Sequence, residues 1–204
     1  MHLLPTKDDV EGILRETGAL RTGHFVYPNG LHSNEYLQVP LAMRYYQHAR
    51  TLSVGLSRLL RANPEIRAII PQLSIVTPAT GGLPVAYGVC EALRAHRVYW
   101  AEEDDANPAL HFRQFIEPMP GEPVVLVDDI LRSGEKLTVM MELLHSWRAN
   151  VVALATVVYQ PNPRTRTFGD LPFYHLAKFD ASHFTEAATC EQCRAGVPAV
   201  QVWV

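Results

Sequence analysis

Two adjacent acids stand at the junction between an apolar segment and a polar turn. Residues 124–127 are four aliphatic residues in a row, which predicts a strand covered on both faces. Asp128 and Asp129 follow directly, and residues 135–147 then repeat apolar side chains at the i, i+3, i+4, i+7 spacing of a helix. The acids are therefore expected at the carboxyl end of a parallel strand, where open α/β sheets bind ligands.

The turn at residues 132–136 opens the predicted helix. Free backbone N–H groups and the helix dipole attract anions at this end of a helix. Gly134 permits a tight turn, and Ser133 can donate a hydrogen bond to a phosphate oxygen. Because the acids can bind sugar hydroxyls and the turn can hold a phosphate, the segment predicts a sugar-phosphate site.

This segment resembles the binding signature of type I phosphoribosyltransferases, in which a hydrophobic strand, two acids and a Ser/Thr-Gly-rich phosphate loop follow one another. Three further segments are similar to the orotate phosphoribosyltransferases. They are the opening at 16–36, a pyrophosphate-type loop at 77–83, and a tail at 190–198 with the pattern Cys-Glu-Gln-Cys-Arg-Ala-Gly-Val-Pro. The four segments keep the family's order and span almost the whole chain, which makes the resemblance specific.

The resemblance implies the type I phosphoribosyltransferase fold, an α/β domain with a parallel sheet flanked by helices and a small N-terminal cap segment. It also implies a reaction of pyrimidine nucleotide biosynthesis. In that reaction phosphoribosyl pyrophosphate donates its phosphoribosyl group to orotate, which yields orotidine 5'-phosphate and pyrophosphate. The expected cofactor is Mg²⁺, and the expected assembly is a homodimer in which a mobile loop completes the neighbour's site.

The same resemblance assigns roles to individual residues. Asp128, Asp129 and Arg113 are the expected catalytic residues, and the two acids are also expected to hold Mg²⁺, partly through water. Paired glycines after a predicted strand let backbone N–H groups point at a pyrophosphate. The full set of expected substrate-binding residues is Arg132, Ser133, Gly134, Lys136, Thr80, Gly81, Gly82 and His32.

Two departures from the family's pattern bear on activity. Arg132 stands where the family usually has Thr, and Glu135 stands where it has a small or hydroxyl residue. A carboxylate in the first helical turn repels a nearby phosphate, although acids are common there and Arg132 and Lys136 can compensate. Four acids at 102–105 occupy the place of basic residues and are poorly suited to stabilise a departing pyrophosphate. We therefore hypothesise reduced or redirected activity.

Two alternatives to orotate transfer stay open at the level of sequence. One is a non-catalytic nucleotide-binding or regulatory protein on the same fold, which the acids at 102–105 and Glu135 favour. The other is a phosphoribosyltransferase for a different nucleobase. Base choice depends on a few loop contacts that the sequence does not reveal.

The cysteines near the end of the chain could either bind a metal or form a reduced pair without a ligand. Cys190 and Cys193 have ligand-type spacing, but a structural zinc requires four ligands, and His183 is the one nearby third candidate. His24, His96 and His145 have no spacing that makes a site, and His32 is as consistent with a surface turn as with a substrate contact. We predict a reduced cysteine pair in a C-terminal turn.

Bulk properties exclude several classes of protein. The chain has 204 residues, enough for one α/β domain, and its net charge of −3 gives no reason to expect nucleic-acid binding, which usually needs a basic face. It has no apolar run of membrane-spanning length and no secretory signal pattern. Three cysteines do not make a disulfide framework, so we expect a cytoplasmic protein.

Residues 1–204 are predicted to form one domain, with a cap at 1–45, a core at 46–180 and a tail at 181–204. Helices are predicted at 7–17 (with Thr6 as N-cap), 47–62, 82–95 and 135–147. Strands are predicted within 68–77 and at 98–102, 124–128, 151–159 and 173–179, the last at the sheet edge. A hairpin is expected at 25–39 around residues 28–30, and a hairpin or mobile loop at 106–121. Alternating strands and helices predict a parallel sheet with helices on both faces.

Overall fold

The computed structural model describes residues 4–28, 30–105, 108–180 and 182–202. The chain begins with helix α1 (Lys7–Glu16), a hairpin of β1 (Leu20–Val26) and β2 (His32–Leu37), and helices α2 (Pro40–Met43), α3 (Tyr46–Ala62) and α4 (Pro64–Ile69). The middle of the chain comprises β3 (Ser74–Pro78), α5 (Leu83–Leu93), β4 (Arg97–Glu102), β5 (His111–Phe112), β6 (Pro123–Leu131), α6 (Glu135–Ser146), β7 (Asn150–Tyr159) and β8 (Phe173–Lys178). It ends with β9 (His183–Phe184), α7 (Glu191–Arg194) and β10 (Val200–Gln201).

Six strands form the central sheet, in the order β5-β4-β3-β6-β7-β8. All neighbours in it are parallel except β4 and the short β5, and β8 lies at one edge as predicted. Alternate residues of β6 enter two different cores. Val125 and Val127 belong to one, and Val124 and Leu126 to the other. The predicted parallel sheet with both faces covered is confirmed, because apolar side chains on both faces of a strand need partners on both sides.

Strand β6 is longer than the sequence indicates, and this places the acids. It was expected to end at Asp128, but it continues because Ile130 and Leu131 pair with β7. On its other side, pairing with β3 stops at Leu126. Asp128 and Asp129 therefore lie on a part of β6 that has a strand neighbour on one side, with the loop after β3 beside them.

The segment before β3 is helical where a strand was partly expected. α4 and a 3₁₀ turn (Ile70–Gln72) occupy most of the apolar run after residue 64, and the strand starts at Ser74. Asn63 caps α4, since its side-chain oxygen accepts from the backbone of Glu65 and Ile66. Asn followed by Pro is a helix-start signal that explains the difference.

A second sheet joins the two ends of the described chain. Its order is β10-β1-β2-β9, and we call it the hood sheet. Phe25 of β1 pairs with Val200 of β10, and Ser33 of β2 pairs with His183 of β9. The hairpin is confirmed, although residue 29 of its expected turn lies outside the described residues, as do 106 and 107 of the expected loop. The segments 1–45 and 181–204, separate in the sequence interpretation, thus contribute strands to one sheet.

No helix in the described part of the chain is both long enough and apolar enough to cross a bilayer.

The first testable feature is the cap of α1. Thr6 Oγ1 accepts from the Asp9 amide at 3.1 Å, and the Asp9 carboxylate accepts from the Thr6 amide at 2.8 Å. Thr6→Ala should lower the free energy of unfolding by about 1 kcal/mol, because one helical amide loses its acceptor. Thr6→Ser keeps the hydroxyl and should unfold like the parent. Urea unfolding of the three proteins measures this, and equal midpoints for all three would contradict it.

Candidate active site

A pocket of about 750 Å³ lies at the carboxyl ends of β3 and β6, beneath the hood sheet. Two core segments line it, residues 78–81 after β3 and residues 128–137 along the end of β6 and the start of α6. The hood sheet and its flanking turns contribute Tyr27, Leu31, Leu37 and His183. Its size is that of a small-molecule site, and its position is where parallel sheets place their ligands.

The acid pair forms the negative side of this pocket. Asp128 is 9% exposed, and its Oδ1 accepts from the Asp129 amide at 2.9 Å. Burial raises the pKa of both carboxyls, and the neighbouring Asp129 charge raises the pKa of Asp128 further. The charge of Lys136 acts in the opposite direction on Asp128, as that of Arg132 does on Asp129. Paired buried carboxylates favour a cation or hydroxyl donors beside them, and Mg²⁺ prefers such oxygen ligands.

Two glycines allow the loop after β3 to approach the acids. A Cβ atom on Gly81 would lie 3.3 Å from the carboxyl carbon of Asp129. A Cβ atom on Gly82 would lie 2.9 Å from Asp128 Oδ1 and would collide with Thr77 Oγ1. Gly82 has a negative φ of −73°, so it is the space beside the acids that requires glycine here.

Two helices begin at the pocket without a side-chain cap. α5 starts after Gly82, and α6 starts after Gly134, whose φ of 78° favours glycine. The hydroxyl of Ser133 accepts from the Glu135 amide at 3.3 Å. At α5 the Leu83 amide donates to Thr80 O at 3.2 Å and Pro84 has no N–H, so the remaining first-turn amides and the helix dipoles are what make these two ends suited to phosphates. Lys136 connects the two turns, because its Nζ donates to Ala79 O at 3.0 Å.

Arg132 lines the pocket but is held by its walls. Its Nε donates to Gln160 Oε1 at 3.1 Å, and its Nη2 donates to the carbonyl of Leu37 in the hood sheet. The guanidinium also lies over the Tyr27 ring, 5.6 Å from its centroid. Arg132 therefore joins the end of the central sheet to the hood sheet, a position that sequence reasoning did not anticipate.

The described structure does not bring every expected residue to the pocket. Thr80, Gly81, Ser133, Gly134 and Lys136 line it together with the acids and Arg132, and Gly82 packs against Asp128.

Arg113 follows β5, is largely exposed and forms an ion pair with Glu102, outside the pocket lining. Asp104 lies 3.6 Å from His111, so the acid run at 102–105 faces the basic residues of β5 and its end.

His32 lies at the start of β2, where its Nδ1 is 3.0 Å from His24 Nε2, and it does not line the pocket. Cys190 and Cys193 lie beside the same two histidines. The sequence spacing gave no site for His24, but the folded chain places it beside His32 and the two cysteines. The hood sheet brings these residues together although they are far apart in sequence. Tyr27 and His183 line the pocket although no sequence signal indicated it, since it is the pairing of β9 with β2 that brings His183 there.

The sequence family described as "Phosphoribosyl transferase domain" matches residues 45–170. The chain belongs to this family. The matched region contains the acid pair and the turns that open α5 and α6, while the hood sheet lies outside it. The family resemblance inferred from the four sequence segments is thereby confirmed, and the protein is a phosphoribosyltransferase.

Relatives of known name match almost end to end. The orotate phosphoribosyltransferase of Carboxydothermus hydrogenoformans is 31% identical over 193 residues, covering 95% of this chain and 95% of the relative. The orotate phosphoribosyltransferase of Thermotoga maritima is 29% identical over 190 residues, covering 93% of this chain and 95% of the relative. Coverage on both sides extends the likeness to the hood sheet as well as the core.

Solved structures share the fold. The orotate phosphoribosyltransferase of Aeropyrum pernix aligns with a TM-score of 0.65 at 19% identity, covering 83% of this chain and 93% of that one. The adenine phosphoribosyltransferase of Thermoanaerobacter pseudethanolicus aligns with a TM-score of 0.58 at 14% identity, covering 71% of this chain and 88% of that one. Enzymes for different bases thus have this architecture, and it does not by itself select a nucleobase.

The buried acid pair predicts an unusual pH dependence of stability. Because the pKa of Asp128 is raised on folding, the folded chain keeps a proton that the unfolded chain has lost, and stability falls as pH rises through that window. Asp128→Asn should therefore melt at a higher temperature than the parent at neutral pH in a chelator. The difference should vanish below the ordinary Asp pKa. Thermal melts across pH measure this, with exposed Asp170→Asn as the control; a lower Asp128→Asn melting temperature at neutral pH would contradict it.

Proposed function

We propose that this protein transfers the phosphoribosyl group of phosphoribosyl pyrophosphate to orotate, giving orotidine 5'-phosphate and pyrophosphate for pyrimidine nucleotide synthesis. The observation that carries the proposal is one pocket that combines a buried acid pair with two uncapped helix N-termini. A sugar bearing phosphate groups at both ends needs these three features together. The end-to-end likeness to named orotate phosphoribosyltransferases supports orotate as the acceptor.

Each side of the donor molecule has a matching group in the pocket. Asp128 and Asp129 accept hydrogen bonds from the ribose hydroxyls, and residues 133–136 hold the 5'-phosphate. Residues 80–82 hold the pyrophosphate at the start of α5. In this arrangement the protein positions the anomeric carbon and stabilises charge as pyrophosphate departs, without a covalent nucleophile.

Magnesium fits the acid pair. The two carboxylates are buried, close together and raised in pKa, so a divalent cation relieves their repulsion. A Mg²⁺ ion held there would supply positive charge that offsets the negative charge of the departing pyrophosphate. The residues that would hold it are Asp128 and Asp129, partly through water.

The hood side of the pocket suits an anionic pyrimidine. The Tyr27 hydroxyl and both ring nitrogens of His183 are buried and have no hydrogen-bond partner within the described part of the chain. Burial and the Arg132 charge lower the pKa of His183, so its neutral ring offers one donor and one acceptor. Arg132 adds a positive charge that matches the carboxylate of orotate, a group that adenine lacks.

Arg113 remains our proposed catalytic residue, with a condition that the structure adds. Its guanidinium pairs with Glu102, so it must exchange this partner for the pyrophosphate in order to act. We propose that it does so in the neighbouring site of a homodimer. Exposed aromatic side chains on packed helices, Tyr46 of α3 and Tyr87 of α5, support such an interface. Full activity of a monomer in dilute solution would exclude it.

The free thiols Cys190 and Cys193 fit our further proposal that the reaction takes place in a reducing compartment such as the cytoplasm.

The direct test mixes the protein with phosphoribosyl pyrophosphate, Mg²⁺ and orotate and follows the loss of orotate absorbance. We expect turnover with orotate and none with adenine, hypoxanthine or xanthine. The double variant Asp128→Asn/Asp129→Asn should be inactive while still folded by circular dichroism. Donor binding in calorimetry without turnover would favour the non-catalytic alternative, and turnover with a purine would redirect the assignment.

A second prediction concerns Glu135 in the first turn of α6. Its exposed carboxylate should weaken the binding of a phosphate at the same helix end by about 0.3–1 kcal/mol. Glu135→Gln should therefore lower the KM for phosphoribosyl pyrophosphate about two- to fivefold. Glu142→Gln removes the same charge further along the same helix and should leave KM unchanged. If both variants lowered KM equally, the cause would be the net charge of the protein and not the position of Glu135, which would contradict the prediction. Arg132 is kept, because its replacement would release the hood sheet.

A further inference from the structure

Four metal-ligating side chains converge outside the pocket. They are His24 on β1, His32 on β2, and Cys190 and Cys193 at the start of α7. One ligand atom from each lies within 4.8 Å of all the others. Both cysteines are free thiols, and His24 and Cys190 are almost fully buried.

The distances between these atoms match the edges of a small tetrahedron. Cys193 Sγ lies 3.5 Å from His24 Nε2 and 3.4 Å from His32 Nδ1. Cys190 Sγ lies 3.6 Å from His24 Nε2, and the two nitrogens are 3.0 Å apart. Zinc bonds of about 2.0–2.1 Å to nitrogen and about 2.3 Å to sulfur give tetrahedral edges of about 3.3 Å between nitrogens and about 3.6 Å between nitrogen and sulfur. Four of the six edges are therefore close to those of a tetrahedral zinc site, and the remaining two lie within 4.8 Å.

The outer contacts orient the ligands. His24 Nδ1 lies 2.8 Å from the carbonyl oxygen of Val197, so this nitrogen carries the proton. Nε2 is then the unprotonated nitrogen, and it faces His32 and the cysteines. A histidine ligand held by a carbonyl through its other nitrogen is the usual arrangement around zinc. Gln192 fixes the segment between the cysteines, since its Nε2 donates to Gly23 O at 2.9 Å.

We propose that His24, His32, Cys190 and Cys193 bind one structural Zn²⁺. Two thiolates and two imidazoles in a tetrahedron favour zinc among the common metals. All four positions are filled by protein, so the site has no opening for a substrate and serves the fold. It fastens the segment after β9 to the β1–β2 hairpin, where the backbone pairing of β10 with β1 is limited to two residue pairs.

The site also bears on the neighbouring pocket. Leu31, which lines the pocket, directly precedes His32, and Tyr27, which also lines it, directly follows β1. A metal that holds β1, β2 and α7 together therefore fixes the hood residues that face the substrate. Its loss is expected to loosen this wall while leaving the central sheet intact.

The test titrates reduced, chelator-treated full-length protein with Zn²⁺ in competition with a chromogenic chelator. We expect one zinc bound per chain. Cobalt in place of zinc should give the visible bands of a tetrahedral centre and thiolate charge-transfer bands in the near ultraviolet. Zinc should raise the melting temperature, since it binds the folded state.

Matched cysteine variants separate the site from general thiol chemistry. Cys193→Ser should weaken zinc affinity by more than about 100-fold, because even outer contacts of such sites contribute about 10–100-fold. Cys90→Ser, on α5 and away from the cluster, should bind zinc like the parent. These readouts do not depend on catalysis, so they stand or fall separately from orotate transfer. Absence of bound zinc, a cobalt spectrum without thiolate bands, equal affinity of both variants, or a Cys190–Cys193 disulfide in freshly isolated protein would overturn the proposal.

Discussion

The repulsion between Asp128 and Asp129 is the interaction to which the rest of the site responds. Two adjacent carboxyls are buried in a strand, where burial disfavours the charge of both and the charge of Asp129 further raises the pKa of Asp128. Positive groups gather around them. Lys136 and Arg132 act on them directly, and the N-termini of α5 and α6 face the same pocket. The pocket thus combines two buried carboxyls with positive groups placed around them.

The course of the strands makes this arrangement possible. β6 continues beside β7 for several residues after β3 has turned away, which leaves one side of the acids to a loop in place of a strand. Gly81 and Gly82 then let that loop approach within contact distance. A side chain at either position would move this loop away from the acid pair. Arg132 completes the arrangement by holding the hood sheet over the pocket.

Local patterns in the sequence predicted the elements that carry the acid pair. They did not predict contacts between residues that are far apart in sequence. The apolar run of β6, the helical spacing of α6 and the acids between them are local, so their positions followed from the sequence. The segment before β3 was misjudged because its apolar run resembles a strand, although Asn63 and Pro64 signal a helix. The cluster of His24, His32, Cys190 and Cys193 was missed because it joins residues more than 160 positions apart. No spacing rule reaches across such a separation.

The hood sheet has a consequence for the order in which the molecule assembles. Phe25 pairs with Val200, so its partner strand is made 175 positions later. During synthesis the early hairpin must wait with both edges unpaired until β9 and β10 have emerged, near the end of the described chain. The central sheet forms from segments much closer in sequence, and such contacts close at lower entropic cost. The carboxyl ends of β3 and β6 can therefore take shape before their cover exists, and the pocket is completed only when β9 brings His183 to it.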